Sequence, residues 1–163
     1  MRRRIVAYMS LGLVGAVVVS ACSTGSDSIT LSFQSKIQQT NTVDLGSPGS
    51  SVGDFISRSG DLVDASGAVI GGFAATAIIN NVSDDVEARF VQAEYAFGEE
   101  RTDSIVILGD ELFQTAELQN VKPKVSYAIV GGTGAYNGAS GQCEVAVGED
   151  DIFTVTCTFK TTF

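Results

Sequence analysis

The chain has 163 residues, with 10 Lys plus Arg against 19 Asp plus Glu, 18 Gly, 2 Pro, no His and no Trp. Its net charge of −9 argues against a nucleic-acid partner, because phosphate binding needs a basic face. Without His there is no Ser-His-Asp triad, no Cys-His dyad and no histidine metal site, so any acid or base must be a carboxylate, Tyr, Lys, Cys or a bound water. The length fits one domain with a real core. Abundant Gly and few charges fit a turn-rich, strand-rich globular protein.

At the N-terminus, Arg2, Arg3 and Arg4 precede an apolar run from Ile5 to Val19, then Ser20, Ala21 and Cys22. A basic start, an apolar stretch and small residues before a cut form the secretory-signal pattern. Val19-Ser20-Ala21-Cys22 resembles a bacterial lipobox. That resemblance implies cleavage before Cys22, lipid on its sulfur, export, and anchorage at the outer side of the membrane. An ordinary signal or an uncleaved anchor is the alternative, since the run nearly spans a bilayer. The division is then residues 1–21 signal, 22–28 polar tether and 29–163 folded domain. Removing 1–21 takes three basic residues and no acidic one, leaving 7 against 19 and a net charge of −12.

Period-two alternation and β-branched residues then dominate. Strands are expected at Ile29–Gln38, Asp54–Val63, Ala68–Asn80, Val86–Phe97, Ser104–Leu108, Glu111–Leu118, Lys124–Val130, Gln142–Val147 and Ile152–Lys160. Asp64-Ala65-Ser66-Gly67 is a tight hairpin, Asn80 to Asp85 a polar loop and Gly98 to Arg101 a turn. Strands at this spacing form an antiparallel meander, and about eight of them close into a barrel that removes exposed edges. The predicted fold is all-β, a small antiparallel eight-stranded barrel. Neither face of Val86–Phe97 is purely apolar, so the inward face is not fixed by the pattern.

Cys143 and Cys157 flank the turn Gly148-Glu149-Asp150-Asp151. A hairpin symmetric about Asp150 sets the two thiols directly opposite, and an oxidising compartment would join them. Acidic pairs at Asp84-Asp85, Glu99-Glu100, Asp110-Glu111 and Glu149 to Asp151 fall in predicted turns or beside them and are read as solvated. None has the spacing of a Ca²⁺ loop, so no metal is expected. In the cluster Gly131-Gly132-Thr133-Gly134-Ala135-Tyr136-Asn137-Gly138 the glycines are misspaced for a dinucleotide loop and no helix pattern follows. This is a turn between strands, and no cofactor is expected.

Tyr127-Ala128-Ile129-Val130 leading into that cluster resembles the signature of the allene oxide cyclase and dirigent barrel superfamily. A second block, Val52-Gly53-Asp54 with Gly60-Asp61-Leu62-Val63-Asp64-Ala65-Ser66-Gly67-Ala68-Val69-Ile70-Gly71, resembles the hairpin of that superfamily and of bacterial spirotetronate-type cyclases. Glu94 to Gly98 resembles a further family strand. The resemblance implies a calycin-like barrel and places Gln39 and Asn41 at the pocket. Gln39 falls where the plant enzymes have a carboxylate, Gly60 where a water-holding Asn is expected, and Ala77 near a pocket Cys. Those losses argue against allene oxide cyclisation.

The resemblance implies a cyclase that works by folding a reactive, apolar polyene or polyketide into one geometry, through closures of the [4+2] or hetero-[4+2] kind. Candidate catalytic residues are Tyr95, Tyr127 and Glu94, whose hydrogen bonds would polarise a carbonyl. Candidate substrate-binding residues are Gln39, Asn41, Phe73, Phe90 and Gln92. The alternatives are a non-catalytic carrier of an apolar molecule, a dirigent-type guide and a structural lipoprotein with a filled barrel. Expected partners are an apolar small molecule and, through Cys22, the membrane. A homodimer is among the candidate assemblies.

Overall fold

The computed structural model describes residues 28–115, 119–148 and 151–162. The predicted signal, Cys22, most of the tether, and Glu149 and Asp150 lie outside the described residues. The strands are β1 (Ile29–Val43), β2 (Phe55–Val63), β3 (Val69–Ser83), β4 (Val86–Phe97), β5 (Asp103–Gln114), β6 (Gln119–Asn120), β7 (Lys124–Thr133), β8 (Ser140–Val147) and β9 (Ile152–Lys160), with one 3₁₀ turn at Gly134–Tyr136. All pairings are antiparallel, in the order β4-β3-β2-β1-β9-β8-β7-β5, and a further β4–β5 pairing closes the ring. This is the expected eight-stranded barrel, with β6 a short extra ribbon on β5.

β4 and β9 begin and end where the alternation places them. Other boundaries differ for local reasons. β5 is one strand rather than two, because Gly109 continues it: a Cβ there would lie 3.0 Å from the Tyr127 ring. The polar stretch Gln39–Val43 is strand because it pairs with Phe55–Ser59 of β2. Asn80 and Asn81 form no loop. They sit at a register shift in β3, and the chain reverses only at Asp84, which takes φ 51°. Gly60 faces inward on β2 and has to be glycine-sized: a Cβ would stand 2.0 Å from the Lys36 carbonyl oxygen, where β1 crosses closest.

The β8–β9 register pairs Cys143 with Cys157, and the two form a fully buried disulfide. It belongs to a dry end of the lumen, with Leu31, Leu62, Ile105 and Phe159. Edge-to-face aromatic contacts run through this end: Phe33 to Tyr95 at 5.1 Å, Phe33 to Phe97 at 5.3 Å, Phe97 to Tyr136 at 5.3 Å and Tyr136 to Phe159 at 5.7 Å. The other end of the interior is polar.

Candidate functional site

Strand parity decides what the lumen contains. On β4 the inward face is Glu87, Arg89, Val91, Ala93, Tyr95 and Phe97, the face that carries two charges. It can be buried because its charges satisfy one another. Arg89 Nε donates to Glu87 Oε2 at 2.7 Å, and its Nη2 lies 2.6 Å from the same oxygen. Arg89 also stacks on Phe113, 3.6 Å above the ring. Its Nη1 lies 3.8 Å from Glu111 Oε1 and is buried without a hydrogen-bond partner. Ser50, in the loop between β1 and β2, donates to Glu87 Oε1.

Glu111 links this network to a cavity. Tyr127 Oη donates to Glu111 Oε2 at 2.7 Å. The cavity measures about 70 Å³ and lies between Phe73, Ala75, Ala93, Tyr95, Tyr127 and Phe153. That volume holds several waters, at ~10–15 Å³ for each. Ile56, Arg58 and Phe153 are only half-buried and mark its open side. A larger ligand would enter by displacing these side chains.

Four polar side chains that line the cavity make no hydrogen bond among the described residues: Arg58, Tyr95, Ser35 and Thr76. Arg58 points inward from β2 between two short neighbours, Thr40 on β1 and Ala75 on β3. Its guanidinium is 5.9 Å from the centre of the Phe153 ring. Burial lowers its pKa, while Glu111 and Asp151 act in the opposite direction. An arginine still remains a cation. Burial pushes the Tyr95 phenol well above its usual range. Burial, and then the Glu111 charge, do the same for Tyr127. Both phenols therefore stay protonated and act as fixed hydrogen-bonding groups rather than bases.

Of the residues expected at the site, Tyr95, Tyr127 and Phe73 line the cavity. Glu94, Gln92 and Phe90 do not. They alternate with Tyr95, Ala93 and Val91 and stand exposed on the outer wall. Gln39 and Asn41 are also exposed and outward. The register shift between Ile37 and Gln39 inverts the parity of β1, so that Thr40 and Thr42 pair with the inward Arg58 and Ile56. Glu111 is a correction of the opposite kind: expected as a solvated carboxylate, it is buried within β5, beside the exposed Asp110. Arg58, Glu111, Ser35 and Phe153 escaped the sequence reading. The one available signal was Arg58 itself, a cation in step with Ile56 and Leu62 on a strand.

No family model matches the chain, and no curated protein matches it by sequence. In structure the chain is similar to pyocyanin demethylase, with a TM-score of 0.65 and 22% identity over 80% of this chain and 99% of that one. It is similar to the Diels Alderase AbmU from Streptomyces koyangensis, with a TM-score of 0.62 and 15% identity over 82% of this chain and 64% of that one. It is also similar to a pterocarpan synthase dirigent protein, with a TM-score of 0.60 and 14% identity over 87% of this chain and 90% of that one. The fold is thus the β-barrel that Diels-Alderase cyclases and dirigent proteins share, as the resemblance in the sequence implied.

Proposed function

We propose that this protein is a cofactor-independent barrel cyclase, exported and lipid-anchored through Cys22, which closes a ring in a small reactive unsaturated molecule held in the lumen. The observation that carries this reading is the cavity: aromatic walls from Phe73, Tyr95 and Phe153, with unpartnered donors on Arg58 and Tyr95. The similar barrels, an AbmU-type Diels Alderase among them, support it. A [4+2] closure forms two σ bonds from π electrons already in the substrate and requires no proton from the protein. Protonated phenols suit that chemistry. Tyr95, whose proton is uncommitted, would polarise a carbonyl on the reacting π system, while Tyr127 stays bound to Glu111 and the walls hold the reacting carbons together.

One observation favours a second reading, a carrier or dirigent-type binding barrel. Among the described residues the only carboxylate lining the cavity, Glu111, accepts from Tyr127 and faces Arg89 at 3.8 Å. A lumen of this kind can bind without reacting. The deciding experiment feeds the purified domain the metabolites that accumulate when its gene is deleted. A product of unchanged mass with one ring more supports the cyclase. Ligand recovered unchanged leaves the carrier, and a product lighter by CH2, a methyl group replaced by hydrogen, would point to demethylation. Intact mass and gel mobility of the protein from its own host test the anchor: absence of an acyl group on Cys22 would remove it.

A further inference from the structure

We propose that the lumen selects ligands with an anionic oxygen terminus, a carboxylate or an enolate on a short conjugated body, with Arg58 as the anchor. This deepens the reading of the cavity as a substrate site and rests on it. The first ground is charge. The interior holds Glu87, Glu111, Arg89 and Arg58. Arg89 is flanked by both carboxylates, at 2.6 Å and 3.8 Å, whereas Arg58 makes no ion pair among the described residues. A half-buried guanidinium with no ion pair, its charge offset only at longer range by Glu111 and Asp151, would be paired directly by an incoming anion.

The second ground is the donor count. Arg58 can only donate. Tyr127 has committed its proton to Glu111, and Glu111 is held by Tyr127 and Arg89. The hydroxyls of Tyr95 and Ser35 remain free. These hydroxyls can donate or accept, so it is Arg58 that asks for an acceptor on the ligand.

The third ground is polarity along the cavity. Arg58 and Phe153 stand at the half-buried side, and Phe73, Ala93 and Ile107 at the buried side. The geometry orients the ligand with its oxyanion at Arg58 and its apolar body inward. That placement also keeps the oxyanion at the opening and the apolar walls around the carbons that would react. An uncharged polyene of the same length would leave Arg58 unpaired.

The test uses trans-cinnamate and its methyl ester, which share one planar body and differ in charge, titrated by calorimetry into the folded domain and its Arg58→Gln variant. Cinnamate should bind the parent at least about tenfold more tightly than the ester. Arg58→Gln should remove that preference by weakening cinnamate and leaving the ester within about twofold. Equal binding of acid and ester to the parent protein would overturn the anion preference while leaving the cavity reading intact. Failure of both ligands to bind would overturn the cavity reading and the proposal with it. The comparison on the parent protein decides the matter even where the variant fails to fold.

Discussion

Tyr127 Oη donates to Glu111 Oε2 at 2.7 Å inside the barrel, joining a phenol of β7 to a carboxylate of β5. These two strands pair only through Ser104–Leu108 and Ala128–Thr133, so the bond ties them beyond their last paired residues. It also bears on the phenol's protonation. Burial and the neighbouring negative charge keep the phenol neutral, and the carboxylate accepts rather than donates.

Cutting this link from either side has different consequences. Glu111→Ala leaves Arg89 with a weakened set of partners, and one of its nitrogens already lacks a hydrogen bond. The expected loss is about 3 kcal/mol, as for other broken buried ion pairs. Tyr127→Phe removes one hydrogen bond to a charged group and should cost about 1–3 kcal/mol. Urea denaturation midpoints check both. Equal, small losses would show that Arg89 does not depend on Glu111.

The disulfide closes a 14-residue separation between β8 and β9. In the chain-entropy picture that constraint is worth about 3 kcal/mol. The double variant Cys143→Ala/Cys157→Ala should lose about that much stability and keep the barrel. Because both sulfurs are fully buried, reductant alone should act slowly on the native protein and quickly once denaturant is added. A mass gain of two protons after such treatment confirms the bond.

The register of that hairpin was legible because the turn residues in the sequence sit midway between Cys143 and Cys157, and the two strands pair Cys143 with Cys157 and Val147 with Phe153. The parity of β4 was not, since its inward face includes Glu87 and Arg89, whose burial depends on partners from β5 and the β1–β2 loop. Gln39 and Asn41 were misplaced by one residue of bulge, which no composition rule announces. Tyr95 and Phe73 could be found because they are paired neighbours, on β4 and β3, with large side chains of the same parity. Glu111 was hidden by Asp110, since two adjacent carboxylates look like a turn when only one of them is solvated.

Ala75 sits beside Arg58 on β3 and is one of the small residues that keep the lumen open. Ala75→Leu should place its side chain in the existing space. Stability should change by less than about 1.5 kcal/mol, because the added methyl groups fill a void rather than a packed core. Ligand binding, read by calorimetry with cinnamate, should fall at least about tenfold. Unaltered binding would mean that the ligand sits elsewhere.

Gly60 makes the opposite case, an inward position with no space at all. A methyl group there meets the backbone carbonyl of Lys36, which cannot rotate away. Gly60→Ala should cost about 2 kcal/mol or more through displacement of β1 from β2. For a domain of this size the melting temperature should drop by about 4–8 °C. A variant as stable as the parent would show that the bulged segment of β1 yields easily.

Two aspartates make stability depend on acid. Asp54 accepts from the amides of Leu45 at 2.7 Å and Ser51 at 2.8 Å, which tie down the loop before β2. Asp64 accepts from the Ser66 hydroxyl at 2.6 Å, the Ser66 amide at 2.8 Å and the Ala68 amide at 3.0 Å in the β2–β3 turn. Backbone amides pull the Asp54 pKa below its ordinary value of 3.8. The Ser66 hydroxyl, with the Ala68 amide next, does the same for Asp64. A folded-state pKa below the unfolded one gives stability that is complete above the unfolded value and is lost as pH falls through the folded value. Denaturation midpoints should therefore hold from pH 6 to about pH 4 as far as these two groups are concerned, then decline. The variant Asp54→Asn/Asp64→Asn should be less stable at neutral pH and show a shallower decline below about pH 4, since neither position titrates. An unchanged acid slope in that variant would place the acid sensitivity on other carboxylates.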